Sequence, residues 1–418
     1  MVYFMDIQTA IVALLAFYVA WNLGANDVAN AMGTSVGSGA ITLKQAIIIA
    51  GVLEFLGAVL FGQEVTSTLG TKIANPALFA TTPQTLVMGM ISVLLTAGIW
   101  LQIATARGLP VSSSHAIVGA IAGFTWVALG IEAIDWSSIG LITIGWILTP
   151  IISGAIAAGF YSLIQYWIFN QPQPLSQLQE WIPWLSTLLL SVFGIIVLPT
   201  VTQPLSQFLI EQGKLNIPPH DITLFIGGIG VIILTLISWR QLANSQIDHK
   251  IQGLFAKFQV LSACFVAFAH GSNDVGNAIA PLAIISYIHQ QGQVPSDELT
   301  IPPWILVLGA MGIVAGLAVW GKKVIATIGE NIISLEPSSG FCAELATAMT
   351  ILLASRLGLP VSTSHALIGG VVGIGLVQNI KSIKFSTIQN IAAAWLITVP
   401  ISTALSAAIF TIMGIFWH

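Results

Sequence analysis

Apolar runs of helix length dominate this chain, near 7–29, 45–62, 84–105, 111–131, 138–162, 184–199, 222–239, 258–286, 303–321, 340–357, 360–378 and 387–416, with short polar breaks between them. About twelve segments result, each close to the ~20 residues a helix needs to cross the hydrocarbon of a bilayer. Period-two alternation of the kind a barrel strand requires is absent. The pattern predicts an all-α polytopic membrane protein. Composition agrees: 56% of residues are hydrophobic and only 7% charged, too apolar a balance for a domain surrounded by water.

Polar motifs inside the apolar runs recur. WNLGANDVANA at 21–31 returns as FAHGSNDVGNA at 268–278, and GLPVSSSHAIVGAIAG at 108–123 returns as GLPVSTSHALIGGVVG at 358–373. The offsets nearly agree, 274 − 27 = 247 for the aspartates and 365 − 115 = 250 for the histidines, so a whole unit is duplicated. Seven segments separate the starts of the two copies, an odd number, which predicts two inverted-topology repeats. Broken or re-entrant helices are expected around Pro110 and Pro360, and a hairpin there would leave the parity unchanged. The expected division is a first repeat at 1–165, an insert of two transmembrane helices with their loops at 166–257, and the second, inverted repeat at 258–418. The connection 240–257 reads as a linker.

Charge then orients the chain. If the segments alternate, one side receives Lys44, Arg107, Arg240, Lys250, Lys257, Lys322, Lys323, Lys381 and Lys384, the other Lys72, Lys214 and Arg356. The positive-inside rule makes the richer side cytoplasmic and predicts both termini outside the cytoplasm, in the cell (inner) membrane or an organelle equivalent. No Lys or Arg precedes the first apolar run, so that run reads as a retained helix. No basic patch points to nucleic acid. Cys264 and Cys342 lie in apolar segments and read as packed thiols.

The chemistry concentrates in the repeated motifs. Asn26, Asp27 and Asn30, placed by the pattern near the end of a long apolar helix, and their counterparts Asn273, Asp274 and Asn277 offer carboxylate and amide oxygens at helical spacing. These are hard ligands for a small cation. Gly24 and Gly271, just before, predict local unwinding that frees backbone carbonyls. Membrane asparagines commonly join helices by hydrogen bonds, but a charge at depth is costly and two mirrored copies favour ion binding.

The prolines are followed by hydroxyl triplets, Ser112, Ser113, Ser114 and Ser362, Thr363, Ser364. First-turn N–H groups, the positive end of a helix dipole and added hydroxyls together form a cradle for a tetrahedral oxyanion. Simple capping explains one such hydroxyl well and two matched triplets poorly. His115 and His365, one turn on, suit either substrate binding or an interhelical bond. Glu54, Glu344 and His270 are coupling or gating candidates because ionisable groups at such depth need a partner, a proton or a hydrated cavity. They break the symmetry: Leu94 stands opposite Glu344 and Leu23 opposite His270.

GANDVANA from Gly24 and GSNDVGNA from Gly271, with the PVS(S/T)SH segments and the glutamates at 54 and 344, closely resemble the inorganic phosphate transporter family called PiT, whose signature is GxNDVxNA in each of two inverted repeats. The resemblance covers both repeats and implies a secondary transporter that imports inorganic phosphate with Na+ (favoured) or H+. It implies that Asn26, Asp27, Asn30, Asn273, Asp274 and Asn277 serve the cation and the two hydroxyl triplets serve phosphate. Glu54 and Glu344 match acids important for phosphate transport in the family. The expected partners are phosphate and the lipid bilayer, with a homodimer reasonable for the class; no cofactor beyond the coupling cation is expected. Sulfate or another tetrahedral oxyanion would fit the same cradle. An intramembrane hydrolase is disfavoured because HExxH is absent and one active site needs no second mirrored set.

Overall fold

The computed structural model describes residues 7–107, 111–211, 218–244, 250–295, 299–328 and 333–416. Fourteen α-helices run through the described residues: α1 Ile7–Gly37, α2 Leu43–Phe61, α3 Gln63–Thr71, α4 Pro83–Ala106, α5 Ser113–Leu129, α6 Trp136–Ile164, α7 Pro174–Ile196, α8 Leu198–Glu211, α9 Pro219–Asn244, α10 Lys250–Gln291, α11 Pro303–Ile328, α12 Pro337–Arg356, α13 Thr363–Gln378 and α14 Phe385–Phe416. Ten of these are long and apolar enough to span a membrane, and α5 and α13 are shorter apolar helices, so each expected segment is a helix. In hydrocarbon every backbone N–H and C=O needs a partner, which a helix supplies within itself.

Local sequence sets the boundaries. Helices α4, α7, α9, α11 and α12 each begin on a proline, which lacks the N–H that a first turn cannot use. Thr42 and Gln45 form a capping box at α2. Asp135 accepts the N–H groups of Ser137 and Ser138 at α6, bonds that hold its carboxyl below the usual range. Side chains such as Leu224, Ile232, Trp184 and Leu396 stand exposed around the bundle, as a lipid-facing surface requires. The chain is an integral, multi-pass membrane protein.

At the centre α1 packs on α11, α10 and α4, while α10 packs on α12, α2 and α3; farther out α5 packs on α14 and α4, and α13 on α6 and α12. Helices α5 and α13 have 17 and 16 residues. At 1.5 Å per residue each is about 25 Å long, short of the ~30 Å hydrocarbon core. Both begin at buried caps, Ser112 and Ser362, which puts two helix N-termini inside the protein.

Several expectations change. Helices α1 and α10 are continuous through Gly24 and Gly271, so neither unwinds there. The glycines permit contact instead: a Cβ on Gly24 would collide with the backbone of Ile313, and one on Gly271 with the backbone of Glu54. Helix α1 also continues past Asn30 to Gly37, which moves the first motif from a helix end to its interior. Between α7 and α9 lies an additional helix, α8, over part of what reads as a connection. Its hydroxyls stay within helical geometry, Thr202 donating to the Leu198 carbonyl at 2.7 Å, and Thr202 meets Thr223 of α9 at 2.8 Å. The expected linker at 240–257 is largely helical, since α9 reaches Asn244 and α10 starts at Lys250. Pro110 lies outside the described residues, whereas both cysteines are free.

Candidate functional site

The two ND motifs meet. Ligand atoms of Asp27, His270 and Asp274 all lie within 4.8 Å of one another, although the aspartates are on α1 and α10. All six Asn and Asp residues of the motifs are buried, with at most 2% of their surface exposed. Two carboxylates this close in a desolvated interior repel each other, and a cation or proton relieves that repulsion. Among the described residues no Lys or Arg is buried.

The amide groups are oriented by their nitrogens. Asn30 Nδ2 donates to Asp27 Oδ1 at 3.3 Å, Asn273 Nδ2 to the Leu359 carbonyl and Ser355 Oγ at 3.1 Å each, and Asn277 Nδ2 to Ser113 and Ser114 Oγ at 3.2 Å each. The oxygens are left over. Oδ1 of Asn30, Asn273, Asn277 and Asp274, and Oδ2 of Asp27, are buried and accept no hydrogen bond from the protein. Buried acceptors without donors are rare, and these five, three amide and two carboxylate oxygens, form a donor set that a hard cation would satisfy.

The hydroxyl triplets converge on the same place. Ser112 and Ser362 act as N-caps, accepting the N–H of His115 at 3.4 Å and of His365 at 3.3 Å. Thr363 Oγ1 donates to Asp274 Oδ2 at 3.1 Å. Ser113 and Ser114 receive Asn277, Ser114 in turn donating to the Val361 carbonyl at 3.0 Å, and Ser364 lies 2.9 Å from Ser362. Thus Ser113, Ser114 and Thr363 touch the Asn/Asp set directly, whereas Ser112 and Ser362 hold the helix starts. Two positive helix ends and two carboxylates are thereby gathered into one polar centre.

Each imidazole of the repeated SH pair points to the other half of the chain. His115 Nδ1 lies 3.3 Å from the Trp395 carbonyl and His365 Nδ1 3.0 Å from that of Trp146. A carbonyl only accepts, so Nδ1 carries the proton in both rings. The rings also lie against Trp146 and Trp395, with centroids 3.8 and 3.6 Å apart, and join α5 to α14 and α13 to α6. This is the interhelical role.

Glu54 reaches the centre through His270. Its Oε1 lies 3.1 Å from His270 Nδ1, and His270 Nε2 lies 2.9 Å from Asp274 Oδ2; neither contact has the alignment of a formed hydrogen bond. Glu344 is in a separate cluster, where Thr34, Ser35, Gln259 and Ser262 donate to it. Sequence reasoning missed Thr105 and Ser355, which receive Asn26 and Asn273 at 2.9 and 3.1 Å. Their signal was available: each is a hydroxyl residue a few positions before a copy of GLPVS.

A bundle of lipid-facing helices that encloses acids, amides and two helix starts has the make-up of a membrane transporter. Residues 23–406 match the phosphate transporter family, and the chain belongs to it. It is 41% identical to a protein of Haemophilus influenzae named as a phosphate permease, over 96% of each chain. It is 40% identical to an inorganic phosphate transporter of Arabidopsis thaliana chloroplasts, over 95% of this chain and 70% of that one. A solved structure titled the sodium-dependent phosphate transporter superposes with a TM-score of 0.88 at 35% identity, covering 97% of this chain and 99% of that one. The protein is a transporter, not an enzyme.

Proposed function

We propose that the protein imports inorganic phosphate by symport with a cation, Na+ in preference to H+, through alternating access between two inverted repeats at 1–165 and 258–418. The observation that carries this reading is the meeting of Asp27 and Asp274 with the starts of α5 and α13, their two motifs together carrying five donorless buried oxygens. Cations held by Asn26, Asp27, Asn30, Asn273, Asp274 and Asn277 would offset the two aspartates. Phosphate would then accept from the first-turn N–H groups and from the hydroxyls of Ser113 and Thr363, the Thr363 proton turning from Asp274 once a cation offsets that carboxylate, with Ser112, Ser114, Ser362 and Ser364 supporting the turns. The assembly is then nearly neutral and can be occluded, and one repeat rocks against the other to release it inside. The likeness to a sodium-dependent phosphate transporter supports Na+ as the driving ion.

The distribution of Lys and Arg supports a cell (inner) membrane location with both termini outside the cytoplasm. A homodimer suits the class. The test is labelled-phosphate uptake into proteoliposomes under an inward Na+ gradient, a matched K+ gradient or a pH gradient, with excess sulfate as competitor. Uptake that requires Na+ and resists sulfate is expected. Uptake driven by pH alone would reassign the acids to protons, and suppression by sulfate would change the substrate.

A further inference from the structure

The strongest feature outside the ion pocket is the surrounding of Glu344. Its carboxylate is fully buried; Oε1 accepts from Thr34 and Ser35 at 2.6 Å each and from Gln259 at 3.1 Å, and Oε2 from Ser262 at 2.9 Å. Ser38 donates to Gln259 Oε1 at 2.7 Å and completes the network. Three helices contribute: the C-terminal end of α1, the first half of α10 and the start of α12. Hydroxyl-to-carboxylate bonds this short are charge-assisted, so the network is a strong tie between the two halves of the chain.

The motif offsets show what occupies the matching place in the other copy. Positions 34, 35, 259 and 262 correspond through 247 residues to Pro281, Leu282, Val12 and Leu15, and position 344 corresponds through 250 residues to Leu94. Every polar group of the network has an apolar counterpart, and Val12, Leu94 and Leu282 are buried in the core. The asymmetry continues inward. On α10 the positions 259, 262, 266, 270, 274 and 277 share a face, and this stripe leads from Gln259 and Ser262 past Val266 to His270, Asp274 and Asn277. The equivalent stripe on α1 leads from Asp27 through Leu23 and Val19 to Val12.

The geometry points to Glu344, with Thr34, Ser35, Gln259 and Ser262, as the gate of the phosphate pathway at the end of the bundle where α1 finishes and α10 begins, facing an apolar seal at the opposite end. Each bond to Glu344 can be exchanged for one to water, so hydrating and opening this end exposes less apolar surface than opening the opposite end would. Thr34 lies one turn beyond Asn30 on an unbroken helix, so a shift of α1 on cation loading moves two of the gate's donors directly. The inference rests on the alternating-access reading above.

The test uses full-length protein in proteoliposomes, with Cys264→Ala, Cys342→Ala and Val266→Cys as the background. The thiol at 266 lies under the gate and is probed with a membrane-impermeant methanethiosulfonate added from the gate's face. Glu344→Gln replaces one accepting oxygen with a donor; labelling should rise at least tenfold and uptake should fall, with Na+-dependent phosphate binding changed less than threefold. A second variant, Glu344→Leu with Thr34→Val and Ser35→Ala, copies the apolar seal; labelling should slow and uptake cease while binding persists. Unchanged labelling in the first variant, or loss of binding without increased labelling, would overturn the gate and make Glu344 a structural or ligand residue. The carrier reading is checked separately on unsubstituted protein, which must accumulate phosphate against its gradient.

Discussion

Asn277 on α10 holds Ser113 on α5, its Nδ2 3.2 Å from that hydroxyl and equally far from Ser114, while its own Oδ1 accepts nothing from the protein. One amide thus faces the anion cradle with its donors and the cation set with its acceptor. Asn277→Asp separates these roles. The lost donors and the added charge both disfavour phosphate, whereas an extra carboxylate oxygen favours a cation. A buried hydrogen bond to a polar partner is worth about 1–3 kcal/mol when one side is removed, so the phosphate KM should rise roughly tenfold and the Na+ concentration for half-maximal uptake should fall. Weakened Na+ dependence in titrated uptake would show that the amide nitrogen, not the oxygen, organises the cation site.

Asp27→Asn and Asp274→Asn should each abolish gradient-driven uptake while leaving a folded, monodisperse membrane protein. The amide keeps the shape but removes the charge that a cation offsets, and the close approach of the two carboxylates makes each dependent on the other. Size-exclusion profiles and initial rates with and without Na+ check this. Normal Na+-driven accumulation by both variants would exclude the aspartates from coupling.

Ser113→Ala and Thr363→Val address the hydroxyls that touch the Asn/Asp set. Both should raise the phosphate KM about tenfold, as expected for one lost hydrogen bond to a charged ligand, with a smaller change in Na+ dependence. Thr363→Val also frees Asp274 from one donor, so it should disturb Na+ more than Ser113→Ala does. The reverse ranking would move both hydroxyls to the cation site.

Much of this architecture was legible because membrane insertion demands long apolar runs and the duplication wrote the site twice. The pairings Asn26 with Thr105 and Asn273 with Ser355, or His115 with Trp395 and His365 with Trp146, repeat the sequence offsets in space. What the pattern hid was contact between distant helices that the duplication does not repeat. Nothing in the spacing places Gln259 against Glu344 or Glu54 beside His270, because those pairs come from distant helices and Gln259, Glu344 and His270 have apolar residues at the matching positions. The glycines misled for a related reason: in sequence a glycine permits an irregular backbone, whereas here Gly24 and Gly271 remain helical and admit a neighbouring backbone at close range.

That packing role gives a prediction in which stability and function change together. Gly271→Ala would set a methyl group against the Glu54 backbone, and Gly24→Ala one against Ile313, where backbone cannot turn aside as a side-chain tip can. Overpacking of this kind costs about 1–3 kcal/mol, and the midpoint of thermal unfolding in detergent should fall for both variants. Gly159→Ala on α6 is the control, since a Cβ there meets open space and alanine favours the helix by about 1 kcal/mol. Its midpoint should hold or rise. Gly271→Ala should also cut uptake beyond the loss of folded protein, because pushing α2 away draws Glu54 from its 3.1 Å approach to His270. Gly24→Ala moves α11 instead, where Ile313 carries no charge, and should lower stability with little change in the phosphate KM. Equal transport defects per folded molecule in the two variants would mean that the Glu54 to His270 approach has no part in transport.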